Sequence, residues 1–407
     1  MDLLIKKAKL QDGQETKDIA IKDGKITAIE HQINAEAERV IEANGKVLIP
    51  GLVESHIHLD KALIADRLPN KSGTLQEALQ VTAQLKPTFT KEDIIDRAER
   101  TLELLIKNGT TNIRTHSEFD PSQGMTGFEV IMGLKDKYKD LVDIQVVAFP
   151  QEGIIKAPGT EEMMYQAMDM GADVVGGIPY NDTPWDKHID LVFEIAKKYN
   201  KPIDFHQDFK DDADGISIEY VCEKTIAEGY VGRVAVGHLT ALGALPKERL
   251  EPIIAKMAEA QISVMSLPAT DLHLGGRHDE HNVRRTLTPI RALRDGGVNM
   301  CIATNNIRNP FTPYGTGDLI QTAMLAIPTA HLGGASDLPT VLPMITTNPA
   351  KAMGLDDYGI EVGKTANLIL LDTESVTNAI IDIPTRLYVI KSGKVTVETT
   401  KTVTIHR

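Results

Sequence analysis

"KVLIPGLVESHIHLDKA", residues 46–62, runs from an apolar stretch through a Pro–Gly pair into two histidines set one residue apart. A short apolar run bounded by turn residues reads as a buried strand. Side chains alternate along an extended strand, so His56 and His58 point the same way and can grip one ion. An isolated His-x-His is weak evidence for a metal, and the rest of the chain has to supply the context.

Seven further runs of the same kind follow: "TNIRTH" (111–116), "DIQVVAFP" (143–150), "ADVVGGIP" (172–179), "PIDFHQD" (202–208), "VAVGH" (234–238), "ISVMSLP" (262–268) and "NMCIATN" (299–305). Helical patterns separate them, among them Leu75 to Leu85, Asp93 to Lys107, Ile189 to Lys198, Ile218 to Glu228 and Val283 to Asp295. Eight βα units in succession close most simply into a barrel, although a doubly wound open sheet also alternates β and α. In such barrels the chemistry sits at the C-terminal ends of the strands. The polar residues collect there. His56 and His58 end the first strand, His116 the second, Gln151 the third, His206 and Asp208 the fifth, His238 the sixth and Asn305 the eighth. Five of the 12 histidines therefore face one mouth. Imidazoles suit zinc or iron, and a catalytic site keeps one position open for water. One divalent transition metal ion, Zn or Fe, is expected.

Outside this run the texture is shorter and β-like. "DIAIKDGKITAIE" (18–30) alternates around an Asp23–Gly24 turn, a hairpin signal, and "ANLILLD" (366–372) with "RLYVIKSGKVTVE" (386–398) repeats it around Ser392–Gly393. The two ends are expected to pair into one small domain, residues 1–49 with 356–407, around a barrel at 50–355. The 407 residues, 42% hydrophobic, can fill more than one core. A net charge of −13 argues against nucleic acid as a partner. No secretory pattern opens the chain and no stretch approaches the ~18 apolar residues of a membrane span. With only Cys222 and Cys301, a disulfide framework is excluded and a cytoplasmic setting is expected.

"HIHLDK" after a first strand, single histidines after strands five and six, and a polar residue after strand eight resemble the amidohydrolase superfamily. "VVAFPQEGI" (146–154), "GADVVGGIP" (171–179), "DLHLGGR" (271–277) and "PYGTGDLIQ" (313–321) resemble its cytosine deaminase branch. "TNNIRN" (304–309) and "YGIEVGKTANLILLD" (358–372) resemble the neighbouring N-isopropylammelide isopropylaminohydrolases. The resemblance implies a distorted (β/α)8 TIM barrel with a small β-sandwich from both termini. It also implies one Fe or Zn ion and hydrolytic removal of an amine from a small nitrogen heterocycle, and it allows a homo-oligomer. Carried over by position, it makes His56, His58 and His206 metal ligands, with Asn305 at the fourth position. His238 then acts on the attacking water or the developing oxyanion, and Gln151 binds the ring edge.

Two positions depart from the pattern. The family places a metal-binding aspartate at the end of strand eight that shuttles a proton, whereas Asn305 has an acceptor oxygen but cannot carry a proton at neutral pH. The cytosine branch has a glutamate three residues after the strand-five histidine, where this chain has Phe209, which argues against cytosine itself. Three readings of Asn305 stay open: another carboxylate (Asp208, Glu118 or Asp60) does the proton work, the asparagine is an introduced substitution, or the chain is a catalytically silent ligand-binding relative. Asp208, two residues beyond His206, reaches the mouth if the strand continues. The loop "DLHLGGRHDEHNVRR" (271–285) reads as a cover over substrate, and not as a second metal cluster. His188 reads as a solvated helix residue. Lys61 is given no metal role. Trp185, after strand four, is a candidate pocket wall.

Overall fold

The computed structural model describes residues 1–406. Its centre is one sheet of eight parallel strands, β6 (Leu52–Ile57), β7 (Thr110–Glu118), β8 (Asp143–Phe149), β9 (Val174–Gly177), β10 (Ile203–Gln207), β11 (Val234–His238), β12 (Ser263–Ser266) and β13 (Asn299–Ile302), each laddered to the next. All eight strands expected from sequence are present, wound as a barrel. The ring is nearly closed. Between β6 and β13 the link is a single parallel bridge, Ile57 to Asn305. There Asn305 N donates to His56 O at 2.9 Å and His58 N donates to Asn305 O at 3.1 Å.

Helices cover the outside of the ring for the usual amphipathic reason. In the helix Lys91–Lys107, Ile94, Ala98, Leu102, Leu105 and Ile106 are buried at three- and four-residue spacing, and the Thr90 hydroxyl caps its start by accepting from Asp93 N. Truncating such a leucine or isoleucine typically costs about 2–5 kcal/mol. The helix expected over Val283–Asp295 is shorter, Ile290–Asp295. Pro289 precedes it, and the residues before the proline form no helix: Arg284 and Arg285 are exposed, whereas Thr286, Leu287 and Thr288 are buried. None of the helices among the described residues is long and apolar enough to cross a membrane.

Both termini build the second body. One sheet has the order β3 (Lys25–Glu30), β2 (Lys17–Lys22), β1 (Leu3–Ala8), β4 (Arg39–Glu42). The other has β16 (Lys394–Glu398), β15 (Arg386–Lys391), β14 (Leu368–Leu371), β5 (Val47–Pro50). Ile5, Ile19, Ile21, Ile26, Leu48, Leu368, Leu370 and Ile390 form a core that draws on both sheets. The Asp23–Gly24 turn has positive φ at both residues, 51° and 76°, as a two-residue type I′ hairpin requires. The opening stretch therefore belongs to two bodies: Val47–Pro50 pairs with β14 of the sandwich, and Leu52–Ile57 enters the barrel.

Candidate active site

His56, the adjoining His58 and His206 sit at the C-terminal ends of β6 and β10, all buried. His206 Nε2 lies 3.2 Å from His56 Nε2 and 3.1 Å from His58 Nε2. Burial first, and then neighbouring histidines and Lys61, push the pKa of both His56 and His58 well below the ordinary histidine value; burial and its histidine neighbours do the same for His206. These imidazoles are neutral and present lone pairs. Donors ~2.05 Å from a tetrahedral ion stand about 3.3 Å apart, close to the spacing observed. Packing fixes the rings. Phe149 stacks on His206 with centroids 4.1 Å apart. On β11, Gly237 leaves the space His56 occupies, for a Cβ there would come within 2.6 Å of its ring.

Asn305 faces the same cavity from beyond β13, at φ 62°, a left-handed conformation that asparagine tolerates better than most residues. Its Oδ1 is buried with no hydrogen-bond partner among the described residues. A buried acceptor left unmatched is costly unless something completes it. The next-door Thr304 is fixed, donating from N and Oγ1 to the buried Glu54. Three neutral imidazole nitrogens and an orphaned amide oxygen fit a divalent cation of zinc or iron type.

On β11, His238 Nδ1 lies 2.7 Å from Asp271 Oδ1, and Phe209 stacks flat on the imidazole at 4.1 Å. Burial raises the pKa of Asp271, against the pull of His238. Around these groups Lys61, Gln151, Tyr180, Thr270, Asn306 and Phe311 complete a cavity with only ≈ 10 Å³ of open room, about one water molecule. Its outer wall belongs to an apolar cluster of Ala78, Phe209, Leu274 and Phe311, with Leu75 packed on it. A heterocycle needs more room, so its admission requires this wall to shift. Leu274, Gly275, Arg277 and His278 line an outer pocket of ≈ 240 Å³ that shares Leu75 and Phe209 with the inner one.

Behind Gln151 lies a buried ionic network. Lys61 Nζ donates to Gln151 Oε1 at 2.8 Å and pairs with Glu118, which also meets Lys86 at 2.8 Å; Lys86 reaches Glu152 and Asp120. Burial alone would raise the Glu118 pKa, but Lys61 and Lys86 hold it at about 2. With its carbonyl engaged by Lys61, Gln151 presents its NH2 group to the cavity.

The structure thus brings together His56, His58, His206, His238, Asn305, Gln151 and Phe209, and it corrects other expectations. Asp208 does not reach the mouth. β10 ends at Gln207, Asp208 turns to φ 44°, and its carboxylate accepts from Ser217 N and Oγ and Ile218 N at the start of the next helix. Trp185 is not part of the cavity wall. It begins the helix Trp185–Tyr199, 38% exposed, edge-on to Tyr220. His188, expected in solvent, is buried between Asp182 and the Ile178 amide. Glu118 is locked between lysines, and Asp60 accepts from Glu118 N, so neither lines the cavity. His116 lies beside the trio, its ring 4.0 Å from His56, and with His56 and Asp204 forms a second ligand-capable group. Asp271, Tyr180, Thr270, Asn306 and Phe311 went unread as site residues. Asp271 had a signal: it opens the "DLHLGGR" motif after strand seven, on the helix Pro268–Leu274, and a buried catalytic histidine needs a partner for its second nitrogen.

Comparison with known proteins agrees with the barrel-and-sandwich fold. The chain is 32% identical to the N-isopropylammelide isopropyl amidohydrolase of Pseudomonas sp. strain ADP, over 98% of this chain and 97% of that one. The crystal structure of 5-methylcytosine deaminase from Klebsiella pneumoniae liganded with phosphonocytosine superposes with a TM-score of 0.95 at 32% identity, covering 99% of this chain and all of the other. N-isopropylammelide isopropylaminohydrolase from Burkholderia multivorans gives 0.85 at 27% identity, over 97% and 98% of the two chains. The amidohydrolase family model matches residues 39–397, all of the barrel and much of the sandwich, and the chain belongs to that family.

Proposed function

We propose that this protein is a metal-dependent hydrolase that removes an exocyclic amine or alkylamine from a small nitrogen heterocycle of pyrimidine or triazine type. The observation that carries the reading is the convergence of three neutral imidazole nitrogens in a cavity that also holds the His238–Asp271 pair. His56, His58 and His206 would hold the ion, Zn or Fe, with Asn305 Oδ1 as a further oxygen donor. When bound, the ion supplies activation of water for attack on the ring carbon.

The chain's own residues supply orientation and proton transfer. Gln151 donates from Nε2 to an acceptor on the ring edge, held in that sense by Lys61. Asp271 keeps the His238 proton on Nδ1, which leaves Nε2 free to take a proton from the attacking water. The same nitrogen returns it to the amine as the C–N bond breaks. Asn305 has no proton to exchange, so the work usual for a carboxylate there falls to His238. Phe209 holds the His238 ring by stacking and offers no acid, which makes cytosine a poor substrate. The silent-binder reading rests on Asn305 alone, and the orientation of His238 by a buried carboxylate weighs against it. The two free, buried cysteines support a cytoplasmic setting.

The test is metal analysis followed by steady-state rates of ammonia or amine release from aminopyrimidines and N-alkylated triazines, with Fe- and Zn-loaded protein, for the native chain and for Asn305→Asp. The expected result is about one equivalent of metal, turnover by the native chain, and faster turnover by the aspartate variant. Stoichiometric metal with no turnover by either protein overturns the assignment of substrate class. No metal in either overturns the site.

A further inference from the structure

A second hollow, of ≈ 400 Å³, lies away from the reaction cavity between the segment after β6, the helix Lys91–Lys107 and the segment after β13. Arg67, Arg97, Arg100 and Arg308 line it, together with Asp66 and Asp96. Four guanidinium groups around one hollow stand out in a chain of net charge −13. Two of them share one carboxylate: Arg67 and Arg97 both donate to Asp93, at 2.9 and 3.0 Å. Arg97, 1% exposed, is further pinned by the carbonyls of Asp60 and Ala62, and its Nη2 has no well-directed acceptor. Arg100 has only Asp96, 3.2 Å away with both side chains in solvent, a weak and screened pair. Arg308 has no carboxylate partner among the described residues. Its Nε donates to Gly315 O at 3.1 Å.

We propose that this hollow binds a phosphate-bearing small molecule. The forks of Arg100 and Arg308 match phosphate oxygens two at a time, while Asp93 takes both Nη atoms of Arg67 and holds it and Arg97 in place before any ligand arrives. The volume suits a small molecule and exceeds a lone ion. The position has a structural consequence. Ile64 N and Ala65 N donate to Arg308 O at 2.8 Å, and Leu63 N donates to Ile307 O at 3.0 Å, so an anion joining Arg67 and Arg100 to Arg308 ties the chain after β6 to the chain after β13. This proposal does not depend on the reaction assigned above.

Calorimetric titration of the full chain with pyrophosphate, at ionic strength held constant with chloride, tests it. Saturable binding is expected, weakened about tenfold or more by Arg308→Ala and by Arg100→Glu through the loss of charge-assisted hydrogen bonds. It should be unchanged by Arg249→Glu, an exposed position on the remote helix Lys247–Glu259. Crystals of the native protein soaked in tungstate should show anomalous density among the four arginines, which decides the matter even if a variant fails to fold. No binding above the chloride blank, tungstate elsewhere only, or full affinity in the Arg100→Glu/Arg308→Ala double variant each overturns the proposal.

Discussion

On one side of the cavity three imidazoles meet nitrogen to nitrogen, buried and neutral, with no proton donor supplied between them. On the other side Lys61, Glu118 and Lys86 are just as deep, yet each charge there is matched by an opposite one. Depth alone therefore says little about chemistry. A buried group left unmatched calls for a ligand to complete it, whereas a buried group fully matched holds its neighbours in place. Gln151 takes its orientation from the matched side and His206 keeps its lone pair on the unmatched one.

The sharpest way to break this contrast is to remove the unmatched nitrogens. The His56→Ala/His58→Ala variant should fall from about one equivalent of metal to none by elemental analysis. It should keep its circular dichroism and cooperative unfolding, because the barrel core is apolar. Retained stoichiometric metal would show that the imidazoles are merely packed. Next in size, Asp271→Asn should keep its metal and lose about 10²–10⁴-fold in kcat, since the asparagine no longer fixes the His238 tautomer. Equal loss of metal would make Asp271 a structural support of the trio instead.

On the matched side the effect should appear as stability. Glu118→Gln leaves Lys61 and Lys86 short of a carboxylate in a buried site, and the urea midpoint should fall by an amount equivalent to about 3–5 kcal/mol. KM should rise more than kcat falls as Gln151 loses its anchor. An unchanged midpoint would put both sides on one footing. A pH series separates them further. His56, His58, His116, His188 and His206 have folded pKa values below the ordinary ~6.5, so below that pH the unfolded chain binds protons the folded chain refuses. The metal-free protein should therefore lose stability as pH falls from 7 to 5.5, with a slope that approaches at most about 1.4 kcal/mol per pH unit for each strongly shifted histidine, His56, His58 and His206, once the pH is below ~6.5. A flat melting profile over that range would mean that the cluster is already hydrated or open.

Closure into a barrel was favoured only by the count of units and, like the sandwich, was implied by the family resemblance. The eight strands, the pairing of the two ends and both hairpin turns could be read from period and turn residues, because those signals are local. Much of the trio could be read for the same reason: strand alternation joins His56 to His58, and the barrel rule brings His206 and His238 to the same mouth. What failed was tertiary. Asp208 satisfied the alternation rule on paper, but one left-handed residue at the strand end turns it onto the next helix. His188 looked solvated because its helix is polar around it, and only the neighbouring Asp182 and Ile178 explain its burial. Asp271 went unseen as the partner of His238 because no local pattern joins residues so far apart in the chain.

The one-rung bridge between Ile57 and Asn305 also bears on how the protein is made. Its two halves are separated by roughly 250 residues, and contacts of such long sequence separation are slow to form because the loop must close first. On the ribosome the His56–His58 pair emerges early and waits for its counterpart until almost the whole barrel has been synthesised. An ion gripped by those histidines and by Asn305 would act as a rivet across the seam, added last. Uptake of metal by nascent or truncated chains would then serve as a completion check, absent from any fragment that stops short of β13 and acquired in one step once the last strand docks.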